Sequence, residues 1–217
     1  TTVGGGGANP VNKTWNNSGT LVLGNSVNVN ATNLAFTNLS GGVVNLNATD
    51  GNGTFYGAGT LTNNLGGVIN RTGTGNVNIS GNAGLSAFNN AGTVNVNAGS
   101  LTLNVGGTDT GLYAIGTNTL NVNASRTFDG GTSFTGTGNL NFSAGTQTFG
   151  AAHTFAAGGL VMNLSAGTLS AANALTFDNT FNWSGNATIT GAGTLLTTGA
   201  TTVGGGGANP VNKTWNN

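Results

Sequence analysis

The chain has 217 residues, 41 of them glycine, with no cysteine, four basic and four acidic residues and a formal net charge of zero. Charged side chains make up 4% of the sequence, whereas an ordinary soluble domain contains about a quarter. This composition excludes a basic surface for nucleic acid and amphipathic charged helices. Hydrophobic residues still account for 36%, too many for a disordered chain. Glutamate, which usually covers exposed helix faces, is absent, so we expect an all-β fold.

The opening stretch 1–17, TTVGGGGANPVNKTWNN, recurs unchanged at 201–217. Identities that include a tryptophan, a proline and a lysine do not arise from biased composition. We therefore predict a tandem repeat with a period of 200 residues, in which 1–200 is one complete unit and 201–217 begins the next. In this interpretation the chain is a window onto a longer array.

A shorter repeat runs through the unit as a pentapeptide, from VNVNA at 27–31 to FNWSG at 181–185. Apolar residues alternate with asparagine or serine, and alanine or glycine follows; GTLTNN around Leu61 fills the one long gap. Strict alternation predicts short strands with one buried face. The central asparagines recur about every 20 residues: Asn28, Asn45, Asn78, Asn95, Asn121, Asn141, Asn163 and Asn182.

Such short strands cannot bury enough surface alone, so successive coils must stack on a shared apolar column. We therefore predict a right-handed parallel β-helix of about 20 residues per coil and about ten coils per unit, with glycine and asparagine at the corners. The central asparagines are expected to hydrogen-bond along the axis as one structural ladder. β-Sandwich modules compete, but their strands would be varied and about 8 to 12 residues apart. A disordered linker is the third alternative.

The aromatic residues are predicted to fill the interior of the coils. Four phenylalanines hold apolar positions of the alternating pattern: Phe36, Phe88, Phe142 and Phe181. Three tryptophans are expected to lie with them: Trp15, Trp183 and Trp215. A row of aromatic platforms for sugars is the functional alternative.

A second string recurs as WNNSGTL at 15–21, FTNLSGGV at 36–43, LTNNLGGV at 61–68 and FNNAGTV at 88–94. It resembles the apolar-x-Asn-x-Gly-x-apolar repeats of filamentous-haemagglutinin-like adhesins and of other large bacterial surface proteins exported by two-partner or autotransporter routes. The resemblance covers the first half of the chain well and the second half more loosely. It implies a right-handed parallel β-helix passenger at the cell surface, acting in adhesion, biofilm or contact with other cells.

Two aspartates, Asp109 and Asp129, lie one coil apart with Arg126 nearby. Converging carboxylates would suit a carbohydrate-active β-helix. We favour instead two corner aspartates on a solvated edge, and predict no catalytic residue, metal site or cofactor. His153 has no Cys, His or Glu partner at ligand spacing, so we expect a surface or groove residue.

Other ligand motifs are incomplete. GANPVNKT at 7–14 imitates a phosphate-binding loop, but a strand pattern follows where a helix is needed. Four scattered aspartates cannot supply calcium-binding nonapeptide repeats. An ice-binding solenoid needs a regular Thr-x-Thr array, and TLT at 60–62, TQT at 146–148 and TIT at 188–190 are expected to lie out of register.

Asn-x-Ser/Thr sequons are frequent, and asparagines on an outward face would be accessible to glycosylation. The candidate acceptors are Asn30, Asn47, Asn123, Asn163 and Asn182. Structural stacking of the asparagine side chains is the stronger interpretation.

The sequence therefore predicts a non-catalytic extracellular filament or adhesin shaft at a bacterial cell surface. Its partner is itself, through end-to-end continuation of the array and lateral bundling, which a near-zero net charge permits. Host or neighbouring-cell glycans are further candidate partners, nucleic acid is not, and no apolar run is long enough to span a membrane. A carbohydrate-binding or carbohydrate-active β-helix and an ice-binding solenoid are the alternatives.

Overall fold

The computed structural model describes residues 2–3, 7–10, 13–30, 35–51, 54–80, 85–205 and 210–217. This part of the chain forms 29 β-strands and contains no helix. In chain order the strands are β1 (Thr2–Val3), β2 (Gly7–Pro10), β3 (Trp15–Asn17), β4 (Thr20–Leu23), β5 (Val27–Asn30), β6 (Ala35–Asn38), β7 (Val43–Leu46), β8 (Thr54–Tyr56), β9 (Thr60–Asn63), β10 (Val68–Arg71), β11 (Asn76–Ser80), β12 (Ala87–Asn90), β13 (Thr93–Val96), β14 (Ser100–Asn104), β15 (Gly107–Asp109), β16 (Leu112–Ile115), β17 (Thr119–Val122), β18 (Arg126–Phe128), β19 (Ser133–Gly136), β20 (Asn139–Phe142), β21 (Thr146–Phe149), β22 (His153–Phe155), β23 (Val161–Leu164), β24 (Thr168–Ala171), β25 (Leu175–Phe177), β26 (Thr180–Trp183), β27 (Thr188–Thr197), β28 (Thr201–Val203) and β29 (Val211–Asn216).

Three consecutive strands make one turn, and each of the three lies on a different face of the molecule. Face 1 consists of β1, β4, β7, β10, β13, β16, β19, β22, β25 and the second part of β27. Face 2 consists of β2, β5, β8, β11, β14, β17, β20, β23, β26 and β28. Face 3 consists of β3, β6, β9, β12, β15, β18, β21, β24 and the first part of β27, and β29 continues both face 3 and face 1.

Neighbouring strands on a face are parallel and pair in register, except that, among the described residues, β8 and β11 on face 2 and β19 and β22 on face 1 are not paired. On face 1, for example, Ile69 lies opposite Val44 on one side and Val94 on the other. Alternate residues point inward, so Val44, Ile69 and Val94 are all buried while their neighbours face outward. Short strands thereby build one continuous apolar column from many turns.

The chain is an all-β parallel β-solenoid of about nine turns with roughly 21 residues per turn, which confirms the predicted fold class. Nine turns replace the predicted ten coils per unit. The turns differ in length because the corners differ. On face 1, Ile69, Val94 and Tyr113 hold the same register position in successive turns, and the interval from Val94 to Tyr113 is the shorter one. The right-handed sense of the winding stays a prediction.

All ten phenylalanines are buried, so their predicted place in the core is confirmed. In the second half of the chain their rings stack along the axis. Ring centroids are 5.7 Å apart for Phe134 and Phe155, and 4.8 Å apart for Phe155 and Phe177. Full burial of such a side chain stabilises a fold by about 1.5–3 kcal/mol, so this stack is a main source of cohesion between turns.

The three tryptophans occupy three different environments. Trp183 is buried, as predicted. Trp15 is half-buried and packs edge-on against Phe36, with ring centroids 5.2 Å apart. Trp215 lies in the last turn and remains 37% exposed, so the interior position predicted for it is wrong in this chain. No strand in the described residues stacks beyond it.

Candidate functional site

Asparagine side chains form two outer ladders, one on face 1 and one on face 2. On face 1, Asn70 donates its Nδ2 to Asn45 Oδ1 at 2.9 Å, and Asn95 donates to Asn70 Oδ1 at 2.8 Å. On face 2, Asn121 donates to Thr102 Oγ1 at 3.3 Å. Three further amide bonds of 2.8 Å continue that ladder through Asn141, Asn163 and Asn182.

The prediction of one ladder with eight members therefore needs correction. Asn45 and Asn95 lie on face 1, whereas Asn28, Asn78 and Asn121 lie on face 2. Asn28 pairs in register with Thr54, and Asn78 with Thr102, so threonine occupies the next rung in both places. The pentapeptide could not separate the faces because a strand on either face shows the same alternation.

A third column of asparagines, the inner asparagine ladder, runs inside the solenoid at the corner between faces 3 and 1. Its members are Asn17, Asn38, Asn63 and Asn90, all buried. Each Nδ2 of the first three donates to the Oδ1 of the next member, at 2.8, 2.9 and 2.8 Å. The same nitrogens also donate to the backbone carbonyls of Val43, Val68 and Thr93. An unpaired amide in this position would be costly, so the ladder fixes how each turn sits on the next.

Glycine is required beside the inner asparagine ladder. A Cβ on Gly67 would lie 2.7 Å from Asn63 Oδ1 and 2.9 Å from Asn38 Nδ2. Gly42 and Gly92 are equally close to the ladder amides, whereas Gly19, which follows Asn17, has open space around it. The signal for an inward asparagine was present in the sequence: Asn38 comes two residues after Phe36, so both point to the same side of the strand.

The inner asparagine ladder gives way to a buried ion pair at the next turn, where Asp109 pairs in register with Asn90. Arg126 donates through Nε to Asp109 Oδ2 at 2.8 Å and through Nη2 to Oδ1 at 2.7 Å, and both side chains are completely buried. The Tyr113 hydroxyl donates to the same Oδ1 at 2.7 Å. Arg126 also donates to the carbonyls of Phe88 and Val105, each at 2.8 Å. Every oxygen of the carboxylate is thereby satisfied.

The prediction that Asp109 lies on a solvated edge is wrong. The carboxylate faces inward because Asp109 and Phe128 share a register position on face 3, and Phe128 is a core residue. Burial raises the pKa of Tyr113 well above its ordinary value, and the Asp109 carboxylate adds to the shift. Asp129 lies one turn further on and is half-buried, with its backbone N–H donating to the Asp109 carbonyl at 2.8 Å. The two carboxylates therefore do not converge in an open groove.

A second buried guanidinium, which the sequence analysis missed, belongs to Arg71. It donates to the carbonyls of Leu46 at 2.8 Å and Ser100 at 3.2 Å, and also to that of Gly75. Burial lowers the pKa of Arg71. Because Arg71 takes the inward position held by Leu46 and Val96 in the neighbouring turns, the alternation pattern could have revealed it.

His153 is half-buried and packs against an aromatic cluster, so it is not the freely exposed residue that a surface position would imply. Its ring centroid lies 4.7 Å from that of Phe155, 5.0 Å from Phe149 and 5.7 Å from Phe134. Burial lowers its pKa to about 4. The imidazole is therefore neutral at neutral pH and acts as a packing group.

The predicted glycosylation acceptors differ in the accessibility of Nδ2, the atom to which an N-linked sugar is attached. Asn163 and Asn182 are half-buried and commit that nitrogen to the outer ladder of face 2. Asn47 and Asn123 are exposed, and only their Oδ1 atoms accept bonds, from the hydroxyls of Thr72 and Ser143. Asn30 is half-buried at the end of β5.

Threonine side chains line face 3, and here the sequence expectation about register is wrong. Thr146 lies opposite Thr168, which lies opposite Thr188. A second column contains Thr108, Thr127, Thr148, Ser170 and Thr190. The TQT and TIT strings are thus in register, with TLS between them, because consecutive turns of face 3 are similar in length in this region.

Other candidate sites are not formed. Gly7–Pro10 of the imitated phosphate loop is strand β2, and residues 11–12 lie outside the described residues. In the described ranges no group of three His, Cys, Asp or Glu side chains could hold a metal ion. Nor does any helix there have the length and apolar character needed to cross a membrane.

The fold defines the chain as a parallel β-solenoid with polar columns inside and outside its sheets. No family model, curated protein or solved structure matches the chain.

Proposed function

We propose that the chain is a segment of a stiff, non-catalytic shaft, part of an extracellular filament or adhesin at a bacterial cell surface. The observation that carries the proposal is the stack of about nine turns in a chain whose opening stretch 1–17 returns at 201–217. In this proposal tandem units continue the same stack. The resemblance of the asparagine-glycine string to surface adhesins supports the location.

Stiffness comes from bonds directed along the axis. The backbone bonds of every parallel pair join one turn to the next, and the amide bonds of the inner and outer ladders add to them at the corner and on two faces. No disulfide is needed, and the chain has no cysteine. The near-zero net charge removes the repulsion that keeps shafts apart, so lateral bundling belongs to the proposal. Surface glycans of other cells are proposed partners of the outer faces.

The proposed shaft can be tested by measuring how the length of the rod depends on the number of units. With strands about 4.8 Å apart, a 200-residue unit should extend a rod by about 45 Å. Electron microscopy of chains with different numbers of units should show unbranched rods of one width, whose length grows in proportion to that number. Separate beads joined by linkers, or lengths that do not follow the number of units, would overturn the proposal.

A second candidate function is ice binding, and the in-register threonines of face 3 are the observation that favours it. They form a rigid two-dimensional array with rungs about 4.8 Å apart and hydroxyls about 6.7 Å apart along each strand. Inhibition of ice recrystallisation is the measurement. Thr148→Tyr should abolish it and Asn141→Tyr on face 2 should leave it intact; a wild-type chain without any inhibition would dismiss this candidate.

A further inference from the structure

Equivalent residues of the two identical segments, 1–17 and 201–217, lie on different faces of the solenoid wherever the structure describes both copies. In the first copy, Thr2–Val3 is on face 1, where Thr2 pairs with Val22. In the second copy, Thr201–Val203 is on face 2, where Thr202 pairs with Asn182. The same shift separates the tryptophans, because Trp15 pairs with Phe36 on face 3 whereas Trp215 pairs with Leu195 on face 1.

Each copy nevertheless follows the same path across the faces. In the described residues, Thr2–Val3 and Thr201–Val203 occupy one face of each copy, Gly7–Pro10 and Val211–Asn212 occupy the next, and Trp15 and Trp215 lie on the face after that. Trp15 begins β3, whereas Trp215 is the fifth of the six residues of β29. The order of the faces is thus the same in both copies and is displaced by one face in the second.

The number of strands between the copies explains the rotation. From β1 to β28 the chain takes 28 steps between faces, with β27 counted twice because it serves faces 3 and 1. Three steps make one turn, so the period of 200 residues covers nine turns and one further face.

The last turn presents a surface that a following unit would cover. Val203 and Trp215 lie opposite the buried Trp183 and Leu195, yet they are 47% and 37% exposed. In the first copy of the segment, the next turn covers the corresponding tryptophan: Trp15 pairs with Phe36 and packs against its ring. Trp215 also contacts Trp183, with ring centroids 6.2 Å apart. In an array, one tryptophan would bridge Trp183 of the preceding unit and the Phe36 position of its own unit.

We propose that each unit docks on the end of the preceding one with a rotation of one third of a turn, so that three units are needed before the same surface returns to the same side. This inference rests on the tandem filament proposed above. It means that the asparagine ladder of face 2 and the threonines of face 3 point in three directions along the shaft, about 45 Å apart along the axis. A single row of sites in each unit thus serves all sides of the filament.

Disulfide trapping in the 217-residue chain tests the rotation directly, since the chain has no cysteine of its own. Asn182→Cys with Thr202→Cys joins register partners on face 2, whose Cα atoms are at a distance that a disulfide can span. If β27 ran straight along face 3, the second copy would instead occupy face 1, with Thr202 beside Thr176. We expect the first pair to oxidise in the folded chain and the matched pair Thr176→Cys with Thr202→Cys to remain reduced. The opposite pattern would overturn the proposal.

Gold labelling of the native filament tests it in the array. Leu65 is 79% exposed, and Leu65→Cys offers one label site in each unit. Electron microscopy should show labels on three sides in turn, each advanced by about 45 Å. Labels in one straight row would overturn the rotation but leave the filament intact, whereas the absence of a continuous rod would overturn both the rotation and the filament.

Discussion

Asn63 donates its side-chain amide to Asn90 Oδ1 at 2.8 Å inside the solenoid, where neither side chain reaches solvent. Asn63 also accepts a bond from Asn38 and donates to the Thr93 carbonyl. One residue thus connects three successive turns. Because water cannot replace these partners, the connection should be worth more than a bond of the same length on the surface.

Replacement of Asn63 should therefore destabilise the chain more than replacement of an outer asparagine. Asn63→Ala leaves buried partners unsatisfied in two turns, and we expect a loss of about 2–4 kcal/mol in the free energy of unfolding. Asn70→Ala, the matched change in the outer ladder of face 1, should cost about 1 kcal/mol, because water reaches its partners. Urea denaturation followed by circular dichroism measures both, and equal losses would contradict the importance of the inner asparagine ladder.

The buried ion pair should be more sensitive to the loss of one partner than to the loss of both. Asp109→Leu leaves Arg126 charged and buried without a carboxylate, and we expect about 3–5 kcal/mol of destabilisation. The double variant Asp109→Leu with Arg126→Met removes the orphaned charge and should be more stable than the single one. Asp129→Asn is the control and should change stability by less than about 0.5 kcal/mol. A double variant less stable than Asp109→Leu would refute this account of the pair.

Acid should weaken the aromatic cluster through His153. Its folded-state pKa of about 4 lies below the unfolded value of 6.5, so the folded chain resists protonation that the unfolded chain accepts. The stabilisation is complete above pH 6.5 and is lost as the pH falls toward 4, by about 3 kcal/mol in total.

The variant His153→Phe isolates this effect, because phenylalanine suits the cluster and does not titrate. The stability of the wild type relative to this variant should fall between pH 6.5 and pH 4 in denaturation experiments. A difference that stays constant over that window would show that the imidazole titrates as it does in water.

Asparagine-linked glycosylation of the folded chain should discriminate among the sequons. Asn47 and Asn123 are exposed and form side-chain bonds through Oδ1, whereas Asn163 and Asn182 use Nδ2 in the face 2 ladder. After treatment with an asparagine-directed glycosyltransferase, mass spectrometry should find sugar on the first pair only. The urea-unfolded chain, as the control, should accept sugar at all four positions. Equal modification of Asn163 and Asn123 in the folded chain would mean that the ladder does not protect its members.

The repeating alternation was sufficient to predict the solenoid, because period-two patterns in short strands have few other ways to bury their apolar side. Assignment of strands to faces needed the structure. VNLNA at 44–48 and VNVNA at 27–31 have the same pattern, but the strands that contain them, β7 and β5, lie on different faces. The face on which a strand lies depends on the lengths of the corners before it, and these lengths vary between turns.

The polar interior was harder to predict, for a different reason. Asparagine and aspartate are normally exposed, so a solvated edge is the natural prediction for Asp109, and no interior role is predicted for Asn38. Their partners, Asn63 and Arg126, are 25 and 17 residues away in sequence and meet them only when the turns stack. The alternation within the strand does indicate the inward position of Asn38, because Asn38 follows the inward Phe36 by two residues and so lies on the same side of the strand.

The central claim is that the strands stack continuously along the shaft, and X-ray diffraction from oriented native filaments tests it most directly. Parallel strands perpendicular to the axis should give a meridional reflection at about 4.8 Å. The same pattern should contain an axial repeat of about 45 Å, or of about 135 Å if successive units rotate by one third of a turn. A pattern with the roughly 4.8 Å spacing on the equator, or with no meridional reflection there, would contradict the account.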